Sequence, residues 1–294
     1  MARPTKIQAR RKALGKDAPA LDPFHGMTDP EVLNQIHDRF DLMSRLTDGA
    51  MTGDVRAFIV SGAPGVGKTY NVEQKLTNKY EEVAGSADDK RFRYVVIKGA
   101  ITPVHLYKTL WSYRFPGCVV CLDDADSIFF HDDGVSLLKA ALDSTPQRVL
   151  TWASETNALK DEMGGEIPTS FEFKGTMIFI TNTNFQGIVD KGTSKLAPHF
   201  EALLSRSMYL DLKIHSRRAI AIWVNYLVSS KKILQSNFGI TSDQERQAVD
   251  WILENQADLR TLSIRDAMKV GQLMASDYDS WQRDAEILLV KDST

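Results

Sequence analysis

Cysteine is nearly absent from this 294-residue chain. The two that occur, Cys118 and Cys121, form a single C-x-x-C inside the apolar run Cys118-Val119-Val120-Cys121. With no second pair, a zinc site or disulfide framework is not expected, and two buried thiols in a strand are. That usage points to a reducing compartment, the cytoplasm. Long apolar runs are also missing. None approaches the roughly 20 residues of a membrane span, and the N-terminus has no apolar core like a signal peptide, so no membrane partner is expected. Nor does charge of one sign dominate. Thirty-six Lys and Arg face 38 Asp and Glu, a formal net charge of −2. No global field favours nucleic acid, and any such surface must be local. There are no internal repeats or low-complexity runs. What remains is 43% hydrophobic and 25% charged residues, an ordinary globular balance in a chain long enough for one large domain or two modest ones.

Against that background one segment stands out. Gly62-Ala63-Pro64-Gly65-Val66-Gly67-Lys68-Thr69 fits G-x-x-x-x-G-K-[ST], a phosphate-binding loop. Ala57 to Ser61 before it has strand character, and Tyr70 to Leu76 after it continues as a helix. Strand, glycine loop and helix in that order aim backbone N–H groups and a helix N-terminus at an anion. Glycines allow the close approach and the positive φ it needs. The nucleotide-binding set is therefore Gly62 to Tyr70. In it Lys68 reaches the β and γ phosphates, and the Thr69 hydroxyl sits on Mg²⁺.

A second pattern lies downstream. Cys118-Val119-Val120-Cys121-Leu122-Asp123-Asp124 is a buried strand ending in acids. Asp123 is placed to hold Mg²⁺ through water and Asp124 to polarise an attacking water. Asp126 is read as the cap of the next helix.

Five strand candidates alternate with helices: Ala57 to Ser61, Phe92 to Lys98, Cys118 to Leu122, Thr176 to Thr181 and Met208 to Leu212. That alternation predicts an α/β core with a five-stranded parallel sheet covered on both faces. Gln147 to Thr151 and Ser170 to Lys174 read as a hairpin-like insertion before the Thr176 strand. Its loop carries Glu155, Asp161, Glu162 and Glu166 against Lys160 alone, which suits a protein contact better than DNA. Thr28-Asp29-Pro30-Glu31 opens an earlier helix as a capping box. From Lys213 onward the pattern is wholly helical, with Ser216 as a cap and Ser242-Asp243-Gln244-Glu245 as a second capping box. The expected organisation is a basic arm over 1–20 (Arg3, Lys6, Arg10, Arg11, Lys12 and Lys16 against Asp17), an α/β core over 21–212 and a helical lid over 213–294.

Taken in order, the phosphate loop, acid-tipped strand, polar-tipped strand, arginine before the last strand and helical lid resemble the layout of the AAA+ ATPases over about residues 21–290. The resemblance implies further roles. A polar residue at the tip of Ile178-Phe179-Ile180-Thr181-Asn182-Thr183-Asn184 senses the γ-phosphate: Asn182 or Asn184, with Asn182, directly after the apolar stretch, preferred. Ala202-Leu203-Leu204-Ser205-Arg206-Ser207 is similar to the arginine-finger box, which in clamp loaders reads Ser-Arg-Cys, so Arg206 serves a neighbouring subunit's nucleotide. Leu262-Ser263-Ile264-Arg265-Asp266 resembles the second sensor, with Arg265 touching the γ-phosphate. The hairpin resembles a pre-sensor insertion, and Ile101, His105 or Tyr107 lies where the family places pore residues, although a plain packed helix fits as well. The resemblance implies ATP and Mg²⁺ as ligands and a nucleotide-dependent homo-oligomer, a hexamer. One departure is Asp124, where hydrolysing relatives carry Glu; its shorter reach implies slow turnover. Three activities stay open. The first is a motor in DNA transactions such as replication, a helicase loader or clamp-loader-like factor acting on DNA or a DNA-bound protein. The second is a MoxR-like protein remodeller, and the third a slow nucleotide-switched scaffold. The compact single-module build resembles phage-encoded members.

Overall fold

The computed structural model describes residues 23–86, 92–153, 159–161 and 164–291. The basic arm expected over 1–20, and Glu155 and Glu162 of the hairpin loop, lie outside the described residues.

Helix α1 (Asp29–Thr52) opens with the expected capping box, in which the Thr28 amide donates to the Glu31 carboxylate at 2.7 Å. It closes on Gly53, whose φ of 87° is left-handed. Then follow β1 (Ala57–Ser61), α2 (Lys68–Val83), β2 (Arg93–Lys98), α3 (Pro103–Ser112) and β3 (Cys118–Asp123). A 3₁₀ turn (Asp126–Phe130) leads to α4 (Asp132–Ala141), β4 (Val149–Thr151) and β5 (Ser170–Glu172). The core ends with β6 (Thr176–Thr181), α5 (Phe185–Lys191), α6 (Ala197–Leu204) and β7 (Met208–Asp211).

All five expected core strands form one parallel sheet in the order β2-β3-β6-β1-β7. β4 and β5 pair antiparallel as the separate hairpin. The central strands β1, β3 and β6 are buried throughout, and successive residues face opposite sides of the sheet. Phe58, Val60, Val119, Cys121, Ile178 and Ile180 face α1 and α2. Ile59, Val120, Leu122, Met177 and Phe179 face α3, α4, α6 and the hairpin. Near-continuous apolar strands buried on both sides are what a parallel sheet requires.

The C-terminal helices are α7 (Arg217–Lys231), α8 (Ile233–Phe238), α9 (Ser242–Glu254), α10 (Ile264–Ser276) and α11 (Trp281–Leu289). The wholly helical pattern expected from Lys213 onward thus resolves into five helices among the described residues. Their apolar residues, Trp223, Val228, Trp251 and Val270 among them, belong to the same core cluster as Phe40, Val66 and Leu76. The helical region therefore packs directly onto the α1–α2 side of the sheet. One expected cap shifts. The second capping box is Thr241 with Gln244, one residue earlier than read. Glu245 is instead buried, and its carboxylate accepts from the Leu234 and Gln235 amides at the start of α8. Among the described residues no helix is long and apolar enough to cross a membrane.

Candidate functional site

Parallel pairing brings the C-terminal ends of β1, β3 and β6 together. Ser61 lies opposite Thr181 and Asp123 opposite Ile180. Loops leaving those ends converge, as ligand sites of open α/β sheets do.

The phosphate loop fills the first of these ends. Gly65 and Gly67 both adopt left-handed φ, 69° and 96°, which only glycine accepts without strain. Five of the loop's carbonyls are turned to donors. Gly62 O and Ala63 O each accept from Lys68 Nζ at 2.9 Å. Gly65 O accepts from the Ile264 amide at 3.0 Å, Val66 O from Trp223 Nε1 at 2.9 Å and Gly67 O from the Asn71 amide at 3.1 Å. In a planar trans peptide the N–H points away from its C=O. Tying the Gly65, Val66 and Gly67 carbonyls to the surrounding helices thus turns the Val66, Gly67 and Lys68 amides, with the first-turn N–H groups of α2, to the opposite side, a concave space suited to phosphate.

Lys68 is only 5% exposed. Its third proton goes to Asn182 Oδ1 at 2.8 Å. Burial pushes its pKa down to about 8, opposed by the Asp124 and Asp123 carboxylates. Beside it, the Thr69 hydroxyl donates to Asp123 Oδ1 at 2.9 Å. Asp123 is buried, and that burial pushes its carboxyl above the usual carboxylate range despite the Thr69 hydrogen bond. A hydroxyl and a buried carboxylate side by side make an oxygen donor set that fits Mg²⁺, whose charge would offset the cost of burying the ionised Asp123.

Asp124 is exposed at the mouth of the site. Its φ of 50° is left-handed, a conformation that costs a non-glycine residue about 1–2 kcal/mol. The turn is held by its amide on Ile180 O at 2.9 Å. Its carboxylate accepts from Asn182 Nδ2 at 2.9 Å. Asn182 thus bridges Lys68 and Asp124. Asn184 does not join the cluster: its carboxamide caps α5, accepting the Gly187 amide at 2.7 Å. Asp126 does not cap a helix. It accepts hydrogen bonds from the Thr181 and Thr183 hydroxyls and so ties the tip of β6 to that of β3.

Arg265 lies in the first turn of α10, exposed. Its Cγ is 3.8 Å from where a Cβ on Gly65 would stand, and its charge helps to lower the Lys68 pKa. Arg206 stands apart. Its guanidinium is exposed and donates to Ala202 O and Ser205 Oγ at the end of α6. Among the described residues it makes no hydrogen bond to Lys68, Asp123, Asp124 or Asn182. The Tyr70 ring is 68% exposed. Of the pore candidates, Ile101 and Tyr107 are buried at 4% and 0% exposure, Tyr107 donating to Pro168 O. Only His105 is exposed. At the start of the C-terminal helices, His215 pairs with Asp211, Arg217 donates to the Gln256 and Leu259 carbonyls, and Arg218 donates to Asp29 and Met27.

The site has two lid residues that sequence reasoning missed, Trp223 and Ile264. Helical periodicity marks Trp223 as buried but carries no signal for the acceptor its indole finds.

No family model matches this chain. Among known proteins, it is 35% identical over 255 residues to an uncharacterized 36.7 kDa protein encoded in the nrdC–mobD intergenic region of Enterobacteria phage T4. The match covers 87% of this chain and 74% of that protein. The chain belongs to the family of this phage T4 protein. The chain's own strand order and glycine loop give it the α/β fold of P-loop nucleotide-binding proteins, similar to that of the AAA+ ATPases. Two solved structures are more distantly similar. NtrX from Brucella abortus, in complex with ATP, is 15% identical with a TM-score of 0.45; the match covers 92% of this chain and spans 55% of the NtrX chain. Drosophila ORC bound to DNA is 13% identical with a TM-score of 0.47, over 95% of this chain and 72% of that one.

Proposed function

We propose that this chain binds ATP with Mg²⁺ and hydrolyses it at sites completed by a neighbouring copy of itself. The observation that carries the reading is the pair of contacts Thr69 with Asp123 and Lys68 with Asn182, the latter also bound to Asp124. Backbone amides of Gly62–Thr69 and the Lys68 ammonium would bind the phosphates, and Thr69 and Asp123 would hold the metal. Mg²⁺ supplies charge neutralisation when bound. Asp124 and Asn182 orient the water that attacks the γ-phosphate, and Arg265 adds positive charge from the lid. Arg206, exposed and uncommitted to its own site, supplies the missing cation to the next subunit; such fingers are worth ~10³ or more in rate. The working form is then a ring or open spiral, a hexamer by AAA+ resemblance.

The work we assign to it is loading or remodelling a partner on DNA, as in replication, on the strength of Ser205-Arg206 and the basic residues before residue 20. A second reading, a nucleotide-switched scaffold with little turnover, is favoured by the short, Asn182-bound Asp124 carboxylate. The test is the mass of the particle with and without a non-hydrolysable ATP analogue, with DNA in a parallel sample. Nucleotide-dependent assembly that DNA stabilises supports the proposal. A monomer under every condition, or full ATPase activity in Arg206→Ala, removes the shared-site reading, and indifference to DNA removes the DNA partner.

A further inference from the structure

The open groove of about 740 Å³ along the edge strand β2, lined by Tyr80, Arg93, Tyr94 and Tyr113, shows nothing that selects an occupant. The exposed Ile287 and Leu288 on α11 likewise face no defined partner. The C-terminal helices, by contrast, hold the phosphate loop through two hydrogen bonds.

We infer that Trp223 is a positioning residue for nucleotide binding, whose indole N–H locks the Val66–Gly67 peptide so that the Gly67 amide faces the phosphate; this rests on the nucleotide reading above. The peptide plane makes the connection. Val66 O and the Gly67 N–H belong to one rigid trans unit and point in opposite directions. Gly67, at φ 96°, has no Cβ to resist a rotation of that unit, so the backbone alone would let it flip. Trp223 Nε1 at 2.9 Å is the donor that holds it.

The indole is itself held without freedom. Trp223 is 3% exposed. Its ring stacks on Phe40 of α1 at 4.5 Å and on Tyr226 at 5.5 Å, with the His37 ring edge-on at 5.3 Å. A rigid donor delivers its hydrogen bond at no further entropy cost. The preceding peptide is held in the same way, because the Ile264 amide donates to Gly65 O. Both donors come from the lid, one from α7 and one from α10. The contact is close enough that a Cβ on Gly65 would stand 2.7 Å from Ser263 Cβ. Lid position and phosphate-loop geometry are therefore one mechanical unit: a lid that moves away releases two loop peptides. The same two ties let nucleotide binding in the loop favour one lid position.

The test uses the full chain and equilibrium binding of ATP and ADP by calorimetry, well below the melting temperature. Trp223→Phe keeps a ring for the Phe40 stack and removes the N–H. Losing one net hydrogen bond predicts roughly 3- to 10-fold weaker binding, equal for ATP and ADP. Trp251→Phe, an equivalent truncation elsewhere in the lid, is the control and keeps the parental affinity. If Trp223→Phe fails to fold, replacing Trp223 by its benzothiophene analogue removes the N–H at constant shape. Unchanged affinity in either Trp223 variant overturns the proposal. Equal losses in Trp223→Phe and Trp251→Phe would overturn it too, since the effect would then be lid stability. If the parent protein binds neither nucleotide, the site assignment fails instead. A nitrogen-labelled sample adds an independent readout: the Trp223 indole N–H is protected from exchange without nucleotide, and rapid exchange contradicts the tie.

Discussion

Raising the pH from about 7 to about 9 is expected to weaken nucleotide binding about tenfold, through Lys68 alone. Its ammonium is buried, and burial holds its pKa down at about 8 even with Asp124 and Asp123 close by. Phosphates arriving beside it favour the charged form and raise that pKa in the complex. The free site therefore releases its proton at lower pH than the bound site. Affinity is complete below about pH 8 and declines as pH rises through it, by up to tenfold per unit, until the bound-state pKa is reached. A single site at about 8 is roughly nine-tenths protonated at pH 7 and one-tenth at pH 9, which gives the tenfold change. Calorimetry in two buffers of different ionisation enthalpy should show uptake of about half a proton per nucleotide at pH 8. Lys68→Arg, charged throughout this range, should bind with a flat pH profile. A flat profile for the parent protein, or proton release on binding, would refute the reasoning.

Other expectations follow from the same contacts. Gly65→Ala forces a Cβ into left-handed φ and to within 2.7 Å of Ser263, so nucleotide affinity should drop by at least about tenfold while circular dichroism stays native. Asp124→Asn should lower single-turnover hydrolysis by roughly 10² to 10⁴ with nucleotide affinity retained. Asp124→Glu should be severalfold faster than the parent; equal or slower turnover would show that the aspartate already reaches the water. The Arg148 guanidinium is buried and donates to the Ala141 and Gly175 carbonyls at 2.9 and 2.8 Å. Arg148→Met leaves both unsatisfied, which costs about 3 kcal/mol, a fall in Tm of roughly 6–12 °C by calorimetric melting, with ATP binding unaffected.

The parts of the fold that could be read from the chain are those whose chemistry is contiguous. Gly62 to Thr69 and Cys118 to Asp124 each carry their spacing within one strand and its loop, so the local backbone sets the geometry. The five strands were legible for the same reason: each is a short apolar run between turn signals. What could not be read depends on pairing at long range. Lys68 and Asn182 are 114 residues apart and Asn182 and Asp124 are 58 apart; only the strand order makes them neighbours. Asn184 and Asp126 carry the same polar chemistry as Asn182 and Asp124, and nothing in composition says that one caps α5 and the other joins two strand tips. The capping box before α9 was misplaced because Thr241-Ser242-Asp243-Gln244-Glu245 contains two overlapping candidates. Burial of Glu245 against α8 decides between them. Trp223 shows the limit most clearly: its spacing tells that it is buried, and only the packed lid tells that it donates to the phosphate loop.

The central claim is that Gly62–Thr69, Asp123 and Lys68 form a nucleotide site. Equilibrium binding of ATP with Mg²⁺ to the parent protein and to Lys68→Ala tests it most directly. The account predicts saturable one-site binding by the parent and affinity at least about 30-fold lower in the variant, the loss of a charge-assisted contact worth 2 kcal/mol or more. A parent protein that takes up no ATP at millimolar concentration, or a Lys68→Ala variant that binds as tightly as the parent, would contradict it.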